Sequence, residues 1–166
     1  MSKTDKLKHN ISITAIKRCT FKPYDYELTK FYESNSDFPY AYGEIELDLN
    51  QNELIICSTV IDFENYSVLT TQKLITKENG IKKKGNLIGA KDKLYGDFKG
   101  YKDKSYTFGL VELKNGTDLK YFVETGKPSM IMIYGVRTII RTEEMTERNI
   151  QNAIRNWNRQ NEKNGK

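Results

Sequence analysis

The sequence predicts an α+β fold: a mainly antiparallel, curved sheet or partly open barrel, with a helical segment at its C-terminal end. Three observations lead there. Asn79-Gly80 and Asn115-Gly116 each stand between runs of strand-favouring residues, the strongest short-range sign of a hairpin. Apolar and polar residues alternate in several short runs over the first two thirds of the chain. Beyond Pro128 the apolar period lengthens to that of a helix, and strands followed by helix argue for segregated layers.

With 166 residues the chain is read as one domain, its polar ends 1–10 and 162–166 expected as flexible tails. Ile11-Ser12-Ile13-Thr14-Ala15-Ile16 alternates and predicts a half-buried strand. The aromatic-rich stretch Phe21 to Tyr42, interrupted by Pro23 and Pro39, predicts a loop. Tyr42–Leu49 predicts a strand, Ile45, Leu47 and Leu49 on one face and Glu44, Glu46 and Asp48 on the other. After the turn Asn50-Gln51-Asn52, Glu53–Asp62 predicts a more completely buried strand.

Ser67–Ile81 reads as a strand, a tight Asn-Gly turn and a returning strand. Gly85, Gly89, Gly96 and Gly100 then break the chain into a loop with short strand or turn segments. Tyr106–Lys114 and Thr117–Glu124 form a second hairpin about Asn115-Gly116. A two-residue turn there sets Leu110 opposite Tyr121 and Phe108 opposite Val123. Pro128 precedes Met130–Arg141, where Met132, Ile133, Val136, Ile139 and Ile140 recur at helical spacing. The β-favouring Ile131, Ile133, Tyr134 and Val136 leave a strand open for this segment. Thr142-Glu143-Glu144 reads as a helix start, and the helix runs to about Asn161 with Ile150, Ala153, Ile154 and Trp157 as its apolar stripe.

Composition bounds the chemistry. Eleven Tyr and seven Phe are more than a disordered chain carries. Cys19 and Cys57 are too far apart for a metal knuckle or a redox pair, and are expected as free thiols in a reducing cytoplasm. His9 is the only histidine and falls in the expected tail, so no Ser/His/Asp, Cys/His or zinc constellation is readable. Glu44, Glu46 and Asp48 read as a solvated strand face; Glu143, Glu144 and Glu147 suit a helix N-terminus. Gly85–Asp92 lacks the Gly-Lys-Ser/Thr ending of a phosphate loop. No run reaches transmembrane length. A non-catalytic, cytoplasmic protein without cofactor or metal is expected.

The net charge of +5 is unevenly placed, with ten lysines between Lys73 and Lys104. Lys82, Lys83 and Lys84 follow the first hairpin. Tyr95, Phe98, Lys99, Tyr101, Lys102 and Lys104 then interleave rings and charges, a mix that stacks bases and neutralises phosphate. These nine residues are the candidate binding surface. The alternatives are lysines that keep sheet edges unpaired and a loop that folds its rings onto its own core.

Ser67-Val68-Leu69-Thr70-Thr71-Gln72-Lys73-Leu74-Ile75 resembles a strand of bacterial pleckstrin-homology-like and GRAM-like domains, in which an apolar strand precedes it as Glu53–Ser58 does here. The resemblance spans about residues 44–160. Gln72-Lys73 departs from the family's usual Asn-Lys/Arg-Arg, and neither 85–104 nor the residues before Tyr42 have a counterpart. It implies a small barrel closed by a helix. The expected function is a binding or adaptor module acting on another protein as regulator or neutraliser. The alternative is a binder of single-stranded nucleic acid or phospholipid headgroups through 82–104.

Overall fold

The chain opens as a helix where a tail and a strand were expected. The computed structural model describes residues 3–38 and 45–164, and α1 spans Asp5–Cys19. Thr4 Oγ1 accepts the Leu7 N–H at 3.2 Å, Asp5 lies in the first turn, and Lys17 and Arg18 lie in the last. The buried face includes His9, Ser12, Ile13 and Ile16, a helical spacing in which two of the four residues are polar. That polarity hides the period, while the chemistry of 11–16 happens to alternate. The sole histidine is held in place: His9 Nε2 lies 2.8 Å from the Tyr32 carbonyl, which can only accept, so Nε2 carries a proton.

The larger sheet is an antiparallel meander of β1 (Thr29–Phe31), β2 (Ile55–Asp62), β3 (Asn65–Thr70), β4 (Leu74–Glu78) and β5 (Ile81–Gly85), in that order. Its central strands are covered on both faces, which is why Ile55–Val60 is buried without alternation. One face packs on the main core with α1 and the later helix; the other meets Tyr32, Phe38 and Ile45, with Leu47 and Leu49 beside them. Residues 45–49 therefore turn the expected side chains inward, but they form no strand; 42–44 lie outside the described residues. Alternation records which side chains point in, not whether a ladder forms.

The Leu-Thr-Thr-Gln-Lys-Leu stretch is two strands joined by a turn, not one strand. Thr70 Oγ1 accepts the N–H groups of Gln72 and Lys73 at 3.1 and 3.0 Å, closing the chain between β3 and β4. The β4–β5 turn is the expected one: Asn79 and Gly80 take φ of 50° and 81°, and Glu78 faces Ile81.

The smaller antiparallel sheet comprises β6 (Lys91–Leu94), β7 (Tyr106–Glu112) and β8 (Asp118–Glu124). Its β7–β8 register differs by one residue from the expected one, with Phe108 opposite Phe122 and Gly109 opposite Tyr121. Only Gly116 has positive φ here; Gly116 N–H donates to Leu113 O and Leu113 N–H to Thr117 O, so the loop holds three residues. The extra residue exchanges the facing partners. Val111, Leu119, Tyr121 and Val123 enter the core, and Phe108 pairs with Phe122 outside it.

The β8 edge stands against the larger sheet, where the Phe122 N–H donates to Ser67 Oγ at 2.8 Å. Among the described residues neither sheet closes into a barrel: β1 and β5 end one, β6 and β8 the other. α2 (Ser129–Thr142) is the helix expected near 130–141, and the strand alternative falls away. It comes close to β2 and β3 at Gly135, where a Cβ would lie 2.9 Å from Cys57 Sγ and 3.0 Å from Leu69 Cδ2. Thr142 ends this helix, its hydroxyl donating to Ile139 O. Thr146 begins the next, accepting the Asn149 N–H at 3.1 Å. α3 runs over Glu147–Asn164, past the expected end, with Ile150 buried and Ala153, Ile154 and Trp157 half-buried. Residues 165–166 of the expected tail lie outside the described residues.

Candidate functional site

Strand periodicity divides β7 between two environments. Val111 serves the core, whereas Tyr106, Phe108 and Leu110 lie on the other face. There the Phe108 and Phe122 rings are 4.8 Å apart, and the Tyr106 ring stands edge-on to Phe122 at 5.5 Å. Phe122 is buried beneath them, Tyr106 remains 37% exposed, and the Lys120 ammonium lies 4.7 Å above the Phe108 ring. Leu94 of β6 sits opposite Leu110 and is 61% exposed.

The corner between the two sheets extends this strip. Ile81, 65% exposed, and Lys83 of β5 line a groove of about 400 Å³ with Glu78, Leu110 and Lys120. Lys120 Nζ spans it, 3.0 Å from the Glu78 carboxylate. The result is an apolar and aromatic strip whose rim carries Lys83, Lys104, the Lys120–Glu78 pair and Asp118.

The nine residues expected to bind are dispersed. Lys82, Lys83 and Lys84 are exposed on the edge strand β5, and only Lys83 enters the groove. Lys82 Nζ reaches the Glu46 carbonyl at 3.5 Å, and Lys84 lines a separate polar cleft with Asp48 and Lys73. Tyr95 and Phe98 fold onto the main core, their rings edge-on at 6.2 Å. The Tyr95 hydroxyl donates to Asp92 Oδ2 at 2.7 Å and accepts from Arg137 Nη2 at 2.6 Å. Burial, foremost, raises this phenol above its ordinary range. The loop beyond is closed by Asp97, whose carboxylate accepts the N–H groups of Tyr101 and Lys102 at 3.2 and 2.8 Å. Tyr101 is 82% exposed; Lys99, Lys102 and Lys104 are exposed, Lys99 Nζ lying 5.9 Å from the Phe98 ring. Lys104 shares a shallow hollow with Tyr106 and Phe108. Lys83 and Lys104 thus adjoin the strip.

Tyr106, Phe108, Leu110 and Lys120 were absent from the expected surface. Their alternation is visible in the sequence, but a two-residue turn pairs Leu110 with Tyr121 and Phe108 with Val123, on one face with core residues.

The residues of the Leu-Thr-Thr-Gln-Lys stretch are consumed in a latch. Glu53, sealed from solvent, accepts hydrogen bonds from the Thr70 hydroxyl, the Asn50 N–H at 2.8 Å and Lys73 Nζ at 3.0 Å. Lys73 also donates to the Asp48 carbonyl at 2.9 Å. The Thr71 hydroxyl and the Gln72 amide donate to the Asp5 carboxylate, tying the turn to the start of α1.

Among the described residues, no group of three or more His, Cys, Asp and Glu could hold a metal ion, and no helix is long and apolar enough to cross a membrane. Comparison with protein-family models, curated proteins and solved structures finds no match to this chain.

Proposed function

We propose that this protein is a non-catalytic binding or adaptor module that engages another protein through the outer face of its smaller sheet, as regulator or neutraliser of that partner. One observation supports this above the rest: Tyr106, Phe108, Leu110, Leu94 and Ile81 form an apolar strip, with Lys83 and Lys104 beside it as cations that pair with no side chain among the described residues. An apolar surface bordered by acidic groups complements it. We read the module as pleckstrin-homology-like on its antiparallel meander followed by C-terminal helices. The two free thiols, Cys19 and Cys57, suit work in the cytoplasm.

A protein partner is favoured over single-stranded nucleic acid because base stacking needs free ring faces. Tyr95 and Phe98 are packed on the core, so Tyr101 alone of the three loop rings is free to stack. Capture from host extract at low and moderate salt, scored for protein and nucleic acid, separates the two. A protein retained at moderate salt and lost with Phe108→Ser supports the proposal. Nucleic acid released steeply by salt, and lost with Lys99, Lys102 and Lys104 replaced by Gln, overturns it.

A further inference from the structure

A second recess is built from the three helices and the link between the last two, and it shares no residue with the strip. α1 supplies Arg18 and α2 supplies Tyr134, Arg137 and Arg141. Trp157 of α3 completes a cleft of about 440 Å³, within the size range of small-molecule sites. The helical spacing is what aligns them: Tyr134, Arg137 and Arg141 recur at three and four residues along α2, one stripe on one face.

The charge there is unbalanced. Arg137 is occupied: Nε lies 3.4 Å from Asp92 Oδ2, and its guanidinium lies over the rings of Tyr95 and Tyr134 at 5.3 and 5.0 Å. Arg18 and Arg141 have no hydrogen bond or ion pair to a side chain among the described residues, and both are exposed at the mouth. Two exposed guanidinium groups line this one recess, and each presents paired donors matched to a carboxylate or phosphate. The remaining wall is mostly apolar, Ile11, Ala15, Met145, Ala153 and Trp157 interrupted by Thr14 and Thr138, and it offers an indole to a planar group. We propose that this cleft binds a small ligand that joins a planar ring to a phosphate or carboxylate, with Arg18 and Arg141 taking the anion and Trp157 facing the ring.

The protein carries its own reporters. Trp157 is the only tryptophan, so its fluorescence reads the cleft directly. Cys19 lines the same cleft and is half-buried, whereas Cys57 is fully buried, so alkylation by iodoacetamide reads Cys19. Titration of the full chain with 1-naphthyl phosphate and 1-naphthoate should change Trp157 emission saturably and slow Cys19 alkylation. Inorganic phosphate and 1-naphthol, each with half the chemistry, should bind at least about tenfold more weakly. Arg18→Gln and Arg141→Gln should each raise the half-saturating concentration about tenfold and lower the thermal melt by no more than about 1–4 °C, since each loses only its favourable place in the last turn of its helix.

Saturation by either naphthyl anion supports the proposal, and their ratio tells phosphate from carboxylate. No saturable response, a response equal in the Arg18→Gln/Arg141→Gln protein, or equal binding of 1-naphthol overturns it. So does saturation by a glutamate-rich peptide where both naphthyl anions fail.

Discussion

Replacing Lys73 by Met tests whether the Thr70–Lys73 turn is a structural latch. Lys73 Nζ bonds Glu53 at 3.0 Å and the Asp48 carbonyl at 2.9 Å, and the two side chains are 13% and 0% exposed. Without the ammonium, Glu53 keeps only the Thr70 hydroxyl and the Asn50 N–H against a buried negative charge. Breaking one side of a buried pair costs about 3–5 kcal/mol, and the slight exposure of Lys73 sets the expectation at about 3 kcal/mol. In a chain of this size that lowers the melting temperature by about 6–12 °C. Glu53→Gln keeps one acceptor and leaves Lys73 its carbonyl and access to water, for about 2 kcal/mol. Once the charge is gone the methionine leaves nothing unpaired. The double variant should therefore cost about 3 kcal/mol rather than the sum of about 5, a coupling of about 2. Urea unfolding followed by far-ultraviolet circular dichroism measures all three. Single costs below about 1 kcal/mol, or additive costs, would refute the latch.

Other consequences follow from the same contacts. Burial raises the Cys19 thiol above its ordinary range, outweighing the Tyr134 hydrogen bond and the Arg18 and Arg137 charges. Its alkylation rate should therefore rise at higher pH than that of a free thiol, and Arg18→Gln should move the profile higher still; a profile unmoved by Arg18→Gln contradicts this. Glu124 is also raised, chiefly by burial, so its stabilising contribution is complete below the unfolded carboxylate range and is lost as pH rises through its folded value. Glu124→Gln should flatten urea midpoints between that range and neutrality, and an unchanged slope would count against it. Gly109→Ala would drive a Cβ into the Tyr121 ring, at a cost of about 1–3 kcal/mol read as a lower urea midpoint.

Legibility tracked how local the governing interaction is. Asn79-Gly80 needs only its own backbone, and both residues take the left-handed conformation that a two-residue hairpin requires. Asn115-Gly116 presents the same letters but serves a three-residue loop, because nothing in the dipeptide fixes whether Asn joins Gly at positive φ. That one-residue difference concealed the aromatic strip. α1 was hidden for another reason: His9 and Ser12 occupy its buried face, and the Tyr32 carbonyl that satisfies His9 lies 23 residues away. Whether Tyr95 and Phe98 stand free or fold onto the core stayed open in the sequence because the groups that decide it, Arg137 and the core, are remote along the chain. The apolar stripes beyond Pro128 repeat over several turns, which made helix readable there beside the strand alternative, but the second helix starts at Glu147 and not at Thr142, which ends the first.

Site-specific photo-cross-linking reads out directly whether a protein partner sits on the strip. With p-benzoylphenylalanine in place of Tyr106 or Leu94 on the strip, or in place of Tyr101 on the loop, irradiation in host extract records what each position touches. If the strip is the docking face, Tyr106 and Leu94 each yield one discrete protein adduct, weakened by Phe108→Ser, and Tyr101 gives little. Adducts from Tyr101 alone, adducts to nucleic acid, or none from Tyr106 and Leu94 would contradict it.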